Sequence, residues 1–448
     1  MRPGGRWSGL RRRSPGEAAD PGSLEVPPVR STFFNAVWLY GAAILLLLGM
    51  ALRQPALSIL SLLTLVTAGG SLLWSRASLD GVDYRRTLSS VRAFRGETIE
   101  LTASIVNRKW LPLAWLEVED QISDRVKVRE RETLPSSRPG TTVLRITTSV
   151  RWFERVSWTF HLDCPERGAF SLGPVSLRSG DLFGFFTRRE RLELADRFIV
   201  YPRIVPIDQI GLPAVHPFGE ERVPQHLITD PSRTIGVRDY RPEDSFRFIH
   251  WKATARLQEV QVKVFEPTVS VQFGVFLSLD TYERYWEGVD YERAESAIVG
   301  AASLAAHGLD RRYSVGVYAN GVLAGSDQTL RIAPGRGPGQ LPAILEGLAK
   351  LTPLAATNFS RLLRAEARRF PWGSTVVVVS ALMTGPLESV LAELLDAGHR
   401  VVLVRVGDYA VAPLRGLVVH RLPDNLLGTS HGEHRRYAVS IDVREGAT

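Results

Sequence analysis

One histidine stands among a dense set of charged and aromatic side chains between residues 236 and 256, in the run G-V-R-D-Y-R-P-E-D-S-F-R-F-I-H-W-K-A-T-A-R. An imidazole with carboxylates nearby in sequence is raw material for general acid–base chemistry. His250 would move the proton, Asp239 or Asp244 would orient the ring, and Arg238, Lys252 or Arg256 would hold an anionic substrate. The same residues admit a non-catalytic reading. His250 then hydrogen-bonds a carboxylate such as Asp239 or Asp244, and Arg247 stacks on Trp251 for roughly 0.5–1 kcal/mol of helix support.

The elements that must position these groups follow from local rules. Pro242 fixes its own φ and biases Arg241 away from helix, so the run opens as a turn; Asp244 is then expected to cap a short helix starting near Ser245. At 100° per residue, Phe246, Ile249, Ala253 and Leu257 share a face, which predicts that His250, lying within that stripe, faces the core. Arg247, Trp251 and Thr254 form a second stripe, and Lys252 and Arg256 a third, so one side of the helix offers an indole beside cations to a partner.

The residues Arg238, Tyr240, Asp244, Arg247, Ile249, His250, Trp251, Lys252, Ala255 and Arg256 carry a pattern that resembles the signature of the bacterial DUF58 family, R-x-Y-x-x-G-D-x-x-R-x-I-H-W-K-x-x-A-R. Glu243 stands where that family usually has glycine, which removes easy access to positive φ and predicts a differently shaped turn. A second run, D-L-F-G-F-F at residues 181–186, resembles the family's D-P-F-G-L-F with Leu182 in place of proline. Read locally, Gly184 makes a turn and Phe185 and Phe186 are core. The resemblance implies a membrane-anchored protein with a von Willebrand factor A-like region and, as its expected partner, an AAA ATPase of the MoxR type.

Composition sets the bounds. The 448 residues suit two or three domains, and 44% hydrophobic content builds ordinary cores. The single cysteine, Cys164, excludes an internal disulfide and suits a reducing compartment. The net charge of +8 comes from scattered arginines rather than a basic stripe, which argues against nucleic acid as a partner.

Along the chain, residues 1–35 are expected to be a disordered tail carrying Arg2, Arg6, Arg11, Arg12, Arg13 and Arg30. Residues 36–52 and 56–74 are uncharged and apolar, separated by Arg53-Gln54-Pro55, and each arm is just long enough for a hydrocarbon core about 30 Å thick. They read as a transmembrane hairpin over residues 36–75. Arginines flank it on both sides while the loop holds only Arg53, so the termini and the domains that follow are expected on the cytoplasmic face of the inner membrane.

Residues 80–202 alternate apolar and polar positions and are expected to form an immunoglobulin-like β-sandwich filled by Trp115, Trp152 and Trp158. Residues 203–235 read as a surface linker, 236–266 as the signature segment, and 267–410 as a doubly wound α/β domain of von Willebrand A-like type, with 411–448 as an extension. The fold class is therefore multidomain: a transmembrane hairpin, a sandwich and an α/β domain.

The first α/β strand ends at Asp280, where A-type domains place a metal on D-x-S-x-S. Here Tyr282 and Arg284 occupy the other two positions, the loop at 335–339 offers no threonine, and the strand at 376–379 runs into Ser380-Ala381. Asp280 is thus a degenerate remnant, and neither a metal nor another cofactor is expected. G-T-S-H-G at 428–432 matches a nucleophile elbow without its strand and helix, which argues against Ser430 as nucleophile; His431, Glu433 and His434 are too few to hold a metal alone. Three functions remain open: a membrane-anchored interaction scaffold for a protein client or ATPase, an enzyme using His250, and a metal-dependent adhesion-type module. The first is the reading that fits most of these features.

Overall fold

The computed structural model describes residues 36–210, 229–242, 244–267, 272–423 and 426. The expected tail, the H-P-F-G and V-P-Q-H runs between 211 and 228, Glu243, and the 428–434 motifs lie outside them.

The chain opens with two helices, α1 (Ala36–Ala51) and α2 (Pro55–Ala77). Pro55 sits in the first turn of α2, where its missing N–H costs nothing, and the two-helix turn is closed by Arg53 at φ +53°. Small and hydroxyl residues face inward: Ala42, Ser61, Ala68, Ser71 and Ser75 are buried, while Ile44, Leu47, Leu62, Leu63 and Leu73 are exposed. At the closest approach, a Cβ on Gly49 would stand 2.9 Å from Ser58 Oγ. This inverted pattern, small residues inside and large apolar ones outside, is how helices pack in lipid. Among the described residues, α2 is the helix long and apolar enough to cross a membrane; α1 is shorter.

Next come strands whose side chains alternate, as in Thr98–Asn107, where every second residue is buried. An antiparallel sheet runs in the order 82–88, 98–107, 155–163, 127–128, and a second in the order 187–192, 175–180, 113–123, 141–150, 134–135. A third, three-stranded sheet joins 92–94, 196–201 and 168–172. Their inward residues, including Leu101, Ile105, Leu116, Val118, Ile146, Phe160 and Phe198, form one core. The tryptophans do not fill it as expected. Trp158 packs at its edge, Trp115 is half-buried with Nε1 donating to Asp181 O (3.1 Å), and Trp152 is exposed. Trp152 sits in the turn between strands, outside the alternation that selects core positions, and branched aliphatics take the interior.

Arg86 ties the sheets together. It donates to Asp120 Oδ1 (2.6 Å), Leu172 O (2.8 Å) and Leu194 O (3.0 Å), while Tyr84 donates to Asp120 Oδ2 (3.0 Å). Gly173 lies against this network at φ +95°, where a Cβ would collide with Leu194 O.

The C-terminal half is built on a mixed sheet in the order 329–335, 314–323, 272–277, 375–380, 400–406, 418–422, with 351–355 paired off-path on 314–323. Numbered along the chain, its six main strands run 3-2-1-4-5-6. All neighbours are parallel except 314–323 with 329–335. The strand Thr375–Ser380 is buried throughout, as strands covered on both faces are. One face packs Val275 and Leu277 against α4 (Tyr291–Asp310) and α5 (Gln340–Lys350), after α3 (Trp251–Leu257) in chain order. The other packs Phe276, Val376 and Val378 against α6 (Phe359–Ala367) and α7 (Gly385–Asp396).

Two boundaries differ from the sequence reading. The sheet continues past residue 410, because Val418–Leu422 pairs in parallel with Arg400–Val406. At both described ends, the expected surface linker 203–235 is part of the fold: Val205, Ile207 and Ile210, just after buried Tyr201, lie in the α/β core, Val205 N–H donates to Ser303 Oγ (2.9 Å), and Thr229–Asp239 is a strand. Short apolar side chains spaced along a Pro-rich segment fill the groove beside α4 without needing regular structure.

The two halves meet around Arg167. Its Nη1 donates to Leu348 O (2.7 Å), Ala349 O (3.2 Å) and Leu351 O (2.8 Å) at the C-terminus of α5, where cations complement unpaired carbonyls. Its Nε donates to Glu295 Oε2 (3.1 Å), and Nη2 stands 2.8 Å from Oε1 in ionic contact without hydrogen-bond alignment.

Candidate functional site

The signature is carried at the tip of a two-stranded ribbon. Thr229–Asp239 pairs antiparallel with Gln261–Pro267, setting Arg238 opposite Val262 and Asp239 opposite Gln261. Between them the chain makes a turn, one 3₁₀ turn at Phe246–Phe248, and α3.

The expected single helix from Ser245 does not form. Ile249 is extended and bridged to Val262, and His250 N–H donates to Gln261 O (2.7 Å), so ribbon pairing takes the backbone groups a continuous helix would use. Ile249 is buried while Phe246 and Leu257 are exposed; the apolar stripe is therefore split. Arg247 precedes α3 and lies over the Phe248 ring (4.5 Å) rather than over Trp251.

His250 is half-buried and serves as the N-cap of α3: Nδ1 accepts from Ala253 N–H (3.1 Å). Thr254 Oγ1 donates back to His250 O (3.2 Å) and accepts from Gln261 N–H (3.0 Å), locking helix to ribbon. Among the described residues, neither carboxylate reaches the imidazole. Asp239 Oδ1 accepts from Gln261 Nε2 (2.7 Å), and Asp244 is held by both terminal nitrogens of Arg238 (2.6 and 2.7 Å) and by Arg241 N–H (2.8 Å). The Arg238 hydrogen bonds, then the Arg241 N–H, hold the Asp244 carboxyl below the usual carboxylate range. Asp244 thus closes the turn rather than capping a helix. Tyr240 stacks on Phe246 (5.7 Å). Trp251, 70% exposed, stands beside exposed Lys252 and Arg256.

At the carboxyl edge of the α/β sheet, Asp280 Oδ2 accepts from Asn320 Nδ2 (3.0 Å) and Ser278 Oγ (3.2 Å). Asn320 is fully buried and also links Leu279 N–H (2.9 Å) to Thr357 O (3.2 Å), joining two strand ends and the 356–358 loop. Burial raises the Asp280 carboxyl, with the Ser278 and Asn320 bonds opposing. These groups do not fit a metal: an amide donor faces the carboxylate, Arg284 lies over Trp286 (5.7 Å), Ser380 Oγ is turned back to Leu382 O (2.6 Å), and Tyr409 donates to Ser380 O (3.0 Å). The sequence reading missed Asn320; its signal was the polar A-N-G that interrupts the apolar strand 314–323 at the ligand-binding edge.

In the D-L-F-G-F-F turn, Asp181 accepts from Phe183 N–H (3.0 Å) and Phe186 N–H (2.7 Å), with Gly184 at φ +73°. Phe185 and Phe186 are half-buried, whereas Leu182 and Phe183 are exposed. Burial pushes the Cys164 thiol up to about 11, so it is inert as a nucleophile.

Residues 236–427 match a family described as "Protein of unknown function DUF58". The match takes in the ribbon and the α/β sheet and covers less than half of the chain. "Uncharacterized protein YeaD" of Bacillus subtilis (strain 168) is 25% identical over 206 residues, 44% of this chain and 47% of that protein. The chain thus spans about half the length of the curated relative it matches. Among solved structures, alkylpurine DNA glycosylase AlkC of Pseudomonas fluorescens, bound to DNA containing an abasic site analog, has a TM-score of 0.19 at 15% identity, covering 33% of this chain and 39% of its own. A non-cellulosomal cohesin from Archaeoglobus fulgidus has 0.18 at 10% identity, covering 26% and 91%. At such scores neither likeness bears on fold or function.

Proposed function

We propose that this protein is a membrane-anchored scaffold that docks a protein partner on the ribbon tip, the partner being an AAA ATPase of the MoxR type. The observation that carries the reading is the tip itself: Trp251 is exposed beside Lys252 and Arg256 on α3, the short helix that Thr254 locks to the ribbon and that follows the turn closed by the Arg238–Asp244 pair. An indole held out by a rigid support, next to cations, is the composition of an interface anchor. The 3-2-1-4-5-6 strand order with helices on both faces supports an A-type α/β domain, and the four- and five-stranded antiparallel sheets that share one core support an immunoglobulin-like unit. The lipid-style packing of α1 on α2, with Arg76, Arg85 and Arg86 following, supports a hairpin whose domains face the cytoplasm.

An enzyme using His250 finds less support, since Nδ1 is engaged by the α3 backbone and neither aspartate orients the ring. The test uses the full chain in lipid nanodiscs with the MoxR-type ATPase of the same genome. Trp251→Ala with Lys252→Glu is expected to weaken binding at least about tenfold at unchanged melting temperature. Equal binding by a folded variant rules out the tip as the interface. Alkaline-phosphatase fusions after Trp74 are expected to be inactive; activity would place the domains outside.

A further inference from the structure

The strands bring three turns to one end of the β unit, the end at which α2 arrives. Residues 108–112 follow Asn107, which pairs with Val82 just after α2; Val150 pairs with Leu113; and Gly180 pairs with Thr187 beside Arg188. This end is clamped to the helix. Lys109 Nζ donates to Ala77 O (2.8 Å), Ser78 O and Asp80 O (2.6 Å), and Arg188 Nη1 donates to Arg76 O and Asp80 Oδ1 (2.7 Å).

The turns carry the large apolar side chains of this end outward. Trp110, Trp152, Phe153, Leu182 and Phe183 are between 56% and 80% exposed. Their placement is built. Buried Asn107 donates through Nδ2 to Leu111 O (3.0 Å) and Arg151 O (2.9 Å), tying two of the turns together, and Trp110 meets Phe153 edge to face (5.1 Å). Phe153 is held at φ +53°, a conformation L side chains rarely adopt, and the turn displays its ring rather than burying it.

Depth decides what these rings meet. The apolar part of α2 ends at Trp74, after 19 residues or about 28 Å of helix, so Ser75 to Asp80 fall at headgroup level and the turns bonded to them share that level. Arg76, in the last turn of α2, and Arg151, next to Trp152 in the chain, are exposed at the same end. Aromatic rings with cations at this level are the composition of a membrane-interface belt.

We propose that this end of the β unit is a lipid-facing foot, with Trp110, Trp152, Phe153, Leu182 and Phe183 seated in the anionic headgroup layer of the bilayer that α2 crosses. The proposal rests on the reading of α2 as a membrane span. The foot would fix the β unit upright, so that the ribbon tip and the α/β domain are held at a set distance from the membrane.

The test places an environment-sensitive fluorophore on single cysteines in full-length Cys164→Ser protein, reconstituted in phosphatidylcholine–phosphatidylglycerol vesicles with or without headgroup-labelled nitroxide lipid. Leu182→Cys is expected to lose roughly half its emission, as a probe in the interface does, and Ser137→Cys, on an exposed turn remote from α2, to lose none. Leu73→Cys, on the outward face of α2, reports on the anchor alone, using acyl-chain nitroxide. Quenching at 73 without quenching at 182 overturns the foot and leaves the anchor standing; no quenching at 73 overturns the anchor. A probe at 182 that ignores lipid but transfers energy to a labelled second copy makes the face a protein interface and likewise overturns the proposal.

Discussion

Two arginine–carboxylate pairs occupy opposite environments. Arg238 and Asp244 lie six residues apart in the densest motif of the chain, and the arginine is 41% exposed. Arg167 and Glu295 lie 128 residues apart in unremarkable sequence, and their side chains are 4% and 2% exposed. In water, pairing gains little because both ions were already solvated. Away from water, each ion depends on its partner, and losing one strands the other. The conspicuous motif therefore shapes a surface, while the inconspicuous pair holds the two halves together.

Arg167→Ala is the strongest way to break this contrast. It should cost about 3–5 kcal/mol in urea unfolding of the detergent-solubilised chain, because the α5 carbonyls lose their donor and Glu295 keeps only the more distant Arg95, 4.0 Å away. An unchanged midpoint would show that water reaches the joint. Arg167→Met with Glu295→Leu sharpens the point: removing both charges should recover most of the loss, to within about 1–2 kcal/mol of the parent. Asp280 stands between the extremes, partly buried and met by an amide and a hydroxyl rather than a cation. Its folded carboxyl lies above the unfolded value, so its contribution to stability is fully present in acid and is lost as pH rises through the folded value. Asp280→Asn should then raise the melting temperature at pH 7–8 by about 1–3 °C, with the gain shrinking as pH falls toward 4. A gain that grows in acid would reverse the assignment.

The smallest effect is expected at Arg238→Ala, a shift below about 2 °C that high salt further reduces. Asp244 titrates in the opposite sense to Asp280: its folded carboxyl is depressed, so its share of stability holds above the usual carboxylate range and fades only as pH falls through the depressed value.

The sequence announced elements whose cause is local. Alternation in Thr98–Asn107 and the run of four valines within Thr375–Ser380 mark their strands because side-chain period follows from backbone geometry. Contacts without local cause stayed hidden. Arg167 looks like any arginine at a strand start until α4 and α5 close over it, and Pro231 disguises a strand whose partner lies some thirty residues on. At the candidate site the residue types were visible but their pairing was not. Ile249 serves the ribbon rather than the helix, which moves the start of α3 to His250 and turns a candidate base into a cap.

The segment leaving the β unit has a consequence for synthesis. Val205 finds Ser303 only after 98 further residues have been made, about 5–20 s at the usual pace of translation. Through that interval Tyr201, Val205, Ile207 and Ile210 have no α4 to cover them, and the β unit leaves the ribosome with an apolar tail awaiting its socket. A chain that stalls or is cut before α4 therefore presents that tail to chaperones and to other nascent copies, and the α/β half made alone carries an open groove of the same shape.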